Sequence, residues 1–309
     1  MSIAFLFPGQ GSQSAGMLNR LPAHTTVNET LLQASDALGF DVRKLDTEEA
    51  LQSTINTQLA LFIAGVASAR ALQAEGVIPD AVAGMSIGTF AAAVTCKTLK
   101  FSDGLDVVKK RSELMEKSFP EGYGMSAIVG LTERQVMNVV AECYSNSAPV
   151  FVSNINGPRQ IIVSGSCSGL EKVEKSAIQK GARKVDRLKV TVPSHCQLFE
   201  PVADELSAMM KTLTLQDPSV PYISNVRARP LRKCLPIADD LSRNVAHGVR
   251  WYDSISILVE LGCKDFIELN PGNTLCRLSR ELFEEERFIS LDETSIDYIR
   301  QTILLTHNR

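Results

Sequence analysis

No Cys-x-x-Cys pair occurs in this sequence, and its seven cysteines, at 96, 143, 167, 196, 234, 263 and 276, are scattered among mostly apolar neighbours. An odd, dispersed set argues against a zinc ribbon, a redox motif or a disulfide framework, and in favour of reduced packing thiols. Only Cys196, beside His195, is near candidate chemistry. Aromatic residues are few, 6% with a single Trp251, so there is no platform on which bases would stack. A net charge of −3 with both signs interspersed, and no long basic block, excludes a phosphate-tracking surface, and nucleic acid is not an expected partner. The apolar run "LALFIAGVASARAL" (59–72) is broken by Arg70 and falls short of the ~18 residues a membrane span needs, while "MSIAFLFPGQGSQ" lacks a basic leader. The expectation is a cytoplasmic protein without a membrane span, a metal or a permanently bound cofactor.

What is present is ordinary globular material: 309 residues, 44% hydrophobic, 22% charged. That length suits a large core with an insertion. "SIAFLFPGQG" reads as a buried strand running into a Gly/Pro corner, and "AVAGMS" as a second. Helical patterns lie between them, notably 56–74, and the alanine-rich "IGTFAAAVTCKTL" follows. Strands alternating with helices imply a parallel sheet covered on both faces. From about 124 the rhythm changes. "GMSAIVGL", "TERQVMNVVAECYS", "PVFVSNI", "RQIIVSG", "SCSGLEKVEKSAIQKG" and "ARKVDRLKV" read as strand, helix, strand, strand, helix, strand, which is the split βαβ or ferredoxin-like order. The predicted fold class is therefore α/β, with a discontinuous core over 1–123 and 190–309 and an inserted subdomain over 124–189.

The chemistry centres on Gly84-Met85-Ser86-Ile87-Gly88. A tight strand-to-helix turn pushes the central side chain of G-x-S-x-G out at the carboxyl edge of a sheet, because glycines on either side remove Cβ atoms that would collide. The helix that follows aims unsatisfied amides at the corner, and the Ile87 amide is placed to stabilise an oxyanion. A helix-capping serine in a glycine-tolerant turn gives the same pattern. A serine nucleophile also needs a base, and the histidines are 24, 195, 247 and 307. His195, after a β-rich run and Pro193, is the candidate; a structural histidine is the alternative.

These segments together carry a resemblance. "FLFPGQGSQSAGM" (5–17), "GMSIG" (84–88), "VVKKRSELME" (107–116), "PEGYGMSAIVGL" (120–131), "VPSHCQL" (192–198), and "GVRW" with "IELNPG" (248–272) resemble, in order and spacing, the malonyl-CoA:acyl-carrier-protein transacylases. The resemblance implies an α/β-hydrolase-like core with a ferredoxin-like insertion. It implies Ser86 as the nucleophile, His195 as base and later acid, and the amides of Gln10 and Ile87 as the oxyanion hole. It makes Arg111 the cation that grips the free carboxylate of malonyl. The donor would be malonyl-CoA and the acceptor the prosthetic-group thiol of an acyl carrier protein. Arg111 has a physical rationale of its own, since a buried anion needs a guanidinium fork and an apolar acyl group would leave that fork unpaired. Read without the resemblance, it is one more charge on a helix beside Lys109, Lys110 and Glu113.

Three positions depart from the family pattern. Met85 replaces a histidine that packs beside the site, where a change of acyl fit is expected. Asn244 replaces a glutamine whose carbonyl orients the histidine, although a backbone carbonyl could serve equally. Asn270 replaces a common glycine. With "LDTEEALQSTINTQLALFIAGVASARAL" (45–72), these departures look closer to the malonyl-transferring epsilon subunit of malonate decarboxylase, which would add the other decarboxylase subunits as partners. The alternatives are the fatty-acid-synthesis transacylase, a serine thioesterase or hydrolase, and a non-catalytic carrier-docking subunit. The hydrolase is disfavoured because no acidic triad member is evident between Ser86 and His195, and because a malonate-binding arginine has no purpose there.

Overall fold

The computed structural model describes residues 2–119 and 121–307. Among the described residues, ten strands form two sheets. They are β1 (Ser2–Phe7), β2 (Ala81–Gly84), β3 (Tyr123–Val129), β4 (Val150–Gly157), β5 (Gln160–Ser166), β6 (Lys184–Arg187), β7 (Tyr222–Ile223), β8 (Pro230–Leu231), β9 (Cys263–Glu268) and β10 (Arg287–Ser290). The first sheet has the order β10-β9-β1-β2-β7-β8 and is parallel except for the short edge strand β8. Its central strands are apolar from Ile3 to Phe7 and from Ala81 to Gly84, as burial on both faces requires.

The helix Thr54–Ala74 is apolar around nearly its whole circumference because it lies inside the molecule, packed among neighbouring helices. It is long and apolar enough to cross a membrane, yet 83% of its most apolar window is buried in the fold. The helix Phe101–Ser118 is one-sided instead: Gly104, Leu105, Val108, Arg111, Ser112 and Met115 form its buried stripe.

The second sheet is antiparallel in the order β4-β5-β3-β6, with the helices Glu133–Cys143 and Cys167–Gln179 between its strands in sequence. This is the split βαβ arrangement read from the sequence. Thr132 closes a capping box with Gln135 at the start of the first helix. The last strand differs from expectation. It covers only Lys184–Arg187, and the stretch from Leu188 to Cys196 that leads to His195 forms no strand. Order there comes instead from single hydrogen bonds, such as His195 N–H to the Val245 carbonyl at 2.8 Å.

Candidate active site

Parallel register brings three distant segments to one edge of the first sheet. Phe7 pairs with Gly84, and the Met85 amide donates to the Phe7 carbonyl at 2.9 Å, so the loop after β1 lies beside the corner after β2. A methyl group on Gly9 would sit 2.8 Å from the Met85 carbonyl oxygen, which fixes how closely that loop, with half-buried Gln10 next in sequence, approaches the turn. On the other side, Ala83 pairs with Ile223, and the chain beyond β7 delivers Asn225. Its Oδ1 accepts from the Ser86 amide at 3.0 Å, and its Nδ2 donates to the Gly84 carbonyl at 2.9 Å.

Ser86 sits at φ 54°, in the left-handed region that residues with a Cβ seldom occupy. Both flanking glycines are required by contact. A methyl on Gly84 would overlap the backbone of Gly88 and Thr89, and one on Gly88 would overlap the Phe7 carbonyl. The helix Gly88–Thr95 starts immediately afterwards, with the Ile87 backbone at its N-terminal end. Met85 is buried among Ala83, Ile223 and Trp251 and belongs to the apolar core under the turn.

His195 also has a positive φ, 64°, and is 3% exposed. Its Nε2 is 2.8 Å from Ser86 Oγ and its Nδ1 is 2.5 Å from the backbone carbonyl oxygen of Asn244. A carbonyl only accepts, so Nδ1 carries the proton and Nε2 presents its lone pair to the serine hydroxyl. Burial and the nearby Arg111 charge push the imidazole down to about 4, against the opposing pull of its backbone carbonyl partner, so it is neutral at pH 7. The orienting group is thus the peptide carbonyl of Asn244. The Asn244 side chain does something else: Nδ2 donates to Thr89 Oγ1 at 2.9 Å and Oδ1 faces Arg111 at 3.5 Å. The remaining histidines are elsewhere. His24 caps the helix Thr25–Leu38, His247 lies 3.7 Å from Glu200, and the side chain of His307 falls outside the described residues.

Arg111 is fully buried. One guanidinium nitrogen donates to Gln58 Oε1 at 2.5 Å, another lies 3.3 Å from Ser86 Oγ, and Nε has no partner. Among the described residues no carboxylate pairs with it. Burial lowers its pKa to about 9, which leaves it charged at pH 7. A buried cation without an acidic partner, beside the Ser86 hydroxyl, is costly on its own and complementary to an anionic ligand.

A family model described as "Acyl transferase domain" matches residues 4–300. The chain belongs to the acyltransferase family. It is 34% identical over 296 residues to the malonyl CoA-acyl carrier protein transacylase of Salmonella typhimurium, covering 94% of this chain and 96% of that one. The solved structure of the malonyl CoA-acyl carrier protein transacylase from Coxiella burnetii matches with a TM-score of 0.93 at 34% identity, over 98% of this chain and 97% of that one. A malonyl-transacylase solved in complex with a type II PKS acyl-carrier protein matches with a TM-score of 0.92 at 31% identity, over 97% and 99% of the two chains. This acyltransferase therefore falls among the malonyl-CoA:acyl-carrier-protein transacylases.

An open cleft of about 730 Å³ leads to His195 in the acyltransferase. Met137 and Val152 of the second sheet's layer wall one side, and Val226 and His247 the other. Arg250 spans the two layers through Glu133 at 3.1 Å. Gln58, Thr89 and Asn225 were not singled out by the sequence. The usable signal for Gln58 was its place as a polar residue inside an otherwise apolar helical stretch. Asn270, buried at 2% exposure, is explained by packing: Ser68 Oγ donates to its Oδ1 at 2.9 Å, and its Nδ2 donates to Asp292 at 2.8 Å.

Proposed function

We propose that this acyltransferase moves malonyl from malonyl-CoA to the thiol of an acyl carrier protein through an ester on Ser86. The observation that carries this reading is the buried Arg111 guanidinium, without an acidic partner and 3.3 Å from Ser86 Oγ. A malonyl group attached to that oxygen carries its free carboxylate within reach of the guanidinium. In the reaction, Nε2 of His195 takes the Ser86 proton as Oγ attacks the thioester carbonyl. The tetrahedral oxyanion faces the amides of Ile87 and Gln10. Collapse breaks the C–S bond, and the departing CoA sulfur takes the proton from His195. The carrier thiol then reverses these steps. The cleft beside His195, apolar over much of its lining, suits the long arm of either thioester.

Intact mass after mixing with malonyl-CoA tests the reading. A malonyl adduct lost in Ser86→Ala supports transfer; CoA release without any acceptor supports a hydrolase; neither adduct nor release supports a docking role. For the acceptor, the departures at Met85, Asn244 and Asn270 support the carrier subunit of malonate decarboxylase. The names of the relatives support an ordinary carrier of fatty-acid or polyketide synthesis. Transfer rates to two purified carriers, one with ordinary phosphopantetheine and one with the decarboxylase prosthetic group, separate these. The proposal includes a cytoplasmic location and a division into a core of 1–123 with 190–309 and a subdomain of 124–189. The division is supported by a separate apolar cluster around Ile128, Val136, Val163 and Leu170.

A further inference from the structure

Among the described residues His195 meets no carboxylate, yet a buried aspartate lies one helical turn before its orienting carbonyl. Asp240 belongs to the helix Cys234–Arg243, whose Asn244 amide donates to the Asp240 carbonyl at 2.9 Å. Four donors converge on the Asp240 carboxylate: the Tyr222 hydroxyl at 2.7 Å, the Ser224 hydroxyl, and the amides of Asn225 at 3.1 Å and Val226 at 3.2 Å. The Asn225 carbonyl is held as well, by the Arg250 amide at 2.9 Å. Asn225 is 1% exposed, and both ends of its amide are spent on the two arms of the Ser86 turn. The Ser86 amide is thereby occupied, which leaves Ile87 as the corner's free donor toward an oxyanion.

We propose that Asn225 is a positioning residue that holds the Ser86 turn in its left-handed conformation, and that Asp240 anchors Asn225 in place. One helix end then sets both partners of the dyad: its side chain at 240 through Asn225 to the nucleophile, and its peptide carbonyl at 244 to the base. The inference rests on Ser86 being the nucleophile. Without the Asn225 amide group, the Ser86 N–H and the Gly84 carbonyl lose their shared partner, and the strained φ is held only from the helix side, where the amide and hydroxyl of Thr89 donate to the Ser86 carbonyl at 3.1 and 2.6 Å. Oγ then moves relative to Nε2 and Arg111, while the carboxylate-binding guanidinium itself is untouched.

The test is rapid-quench acylation of the full chain by malonyl-CoA, read by intact mass, for wild type, Asn225→Ala, Asn225→Asp and Asp240→Asn. The expected result is a maximal acylation rate about 10- to 100-fold lower in Asn225→Ala, the scale of a misplaced reacting group. Half-saturating malonyl-CoA should stay within about twofold. Asn225→Asp keeps an acceptor for the Ser86 amide and loses the donor to Gly84, so an intermediate loss is expected; it also serves if the alanine variant does not fold. Asp240→Asn should slow acylation in the same sense. A purely structural role would lower the melting temperature and leave the rate unchanged at temperatures where the variants are folded. Wild-type rates in folded Asn225→Ala or Asn225→Asp overturn the inference alone. Absence of an adduct in wild type overturns it together with the nucleophile assignment.

Discussion

His195 Nδ1 lies 2.5 Å from the peptide carbonyl of Asn244, so the imidazole is oriented by a group that every residue at position 244 possesses. Asn244→Ala should therefore retain the correct tautomer. It removes the Thr89 hydrogen bond and the contact with Arg111, and a loss of less than about tenfold in acylation rate is expected. Orientation by the side chain would instead produce a loss nearer ~10⁴, the scale of a wrong tautomer. Single-turnover rates of Ser86 labelling in the two proteins decide between them.

With His195 as the proposed base, its depressed basicity should set the acid limit of the reaction. In the free protein the acid limb of kcat/KM for malonyl-CoA should lie near pH 4 rather than near 6.5. Bound malonyl neutralises the Arg111 charge, so the limb of kcat should lie higher than that of kcat/KM. Stability follows the same shift. Between about pH 6.5 and 4 the unfolded chain binds the proton that the folded chain refuses, so this contribution is complete above 6.5 and is lost as pH falls through that window. Initial rates and denaturant midpoints from pH 3.5 to 8 provide both readings; a limb at 6.5 in kcat/KM would contradict the burial argument.

Arg111→Ala should lower kcat/KM for malonyl-CoA by at least about 30-fold, the equivalent of the ~2 kcal/mol lower bound for truncating one member of a buried ion pair. Acetyl-CoA should lose less, or gain. Arg111→Met separates binding from folding: it removes an unmatched buried cation, so the ligand-free protein should melt no lower than wild type. Competition assays between the two thioesters, with thermal melts of the free proteins, check both. An unchanged preference for malonyl would remove Arg111 from substrate choice.

Gly84→Ala should destabilise the chain by about 3 kcal/mol or more, because the added methyl meets backbone rather than a side chain that could swing aside. Met85→His, at the next residue of the same turn, replaces an apolar side chain at the edge of the core and should leave Ser86 labelling largely intact. Urea midpoints and intact mass distinguish the two outcomes. Complete loss of labelling in Met85→His would show that the side chain at 85 does more than pack.

The parts of the fold visible in the sequence were those with a strong local period. The strand "SIAFLF", the glycine-flanked serine and the βαββαβ stretch each carry their signal within ten to twenty residues. The strands Tyr222–Ile223 and Pro230–Leu231 are two residues long and carry no period at all. Asn225 carries no local signal for a related reason: it meets Ser86 only through a parallel pairing between segments 139 residues apart. Arg111 was legible in principle. It falls on the buried stripe with Leu105, Val108 and Met115, a charge where the helix should be apolar, and that mismatch was a stronger cue than its basic neighbours.

Among the described residues, the groups hydrogen-bonded to Ser86 Oγ are His195 and Arg111, backed by Asn244 and Gln58, and none of the four lies on the antiparallel sheet, which walls one flank of the entrance. Substitutions along Met137, Val140 and Val152 should accordingly alter admission of the proposed thioester arm without disturbing the 2.8 Å spacing between hydroxyl and imidazole. For the proposed transferase, guest selection is thereby separated in space from the bond-making apparatus.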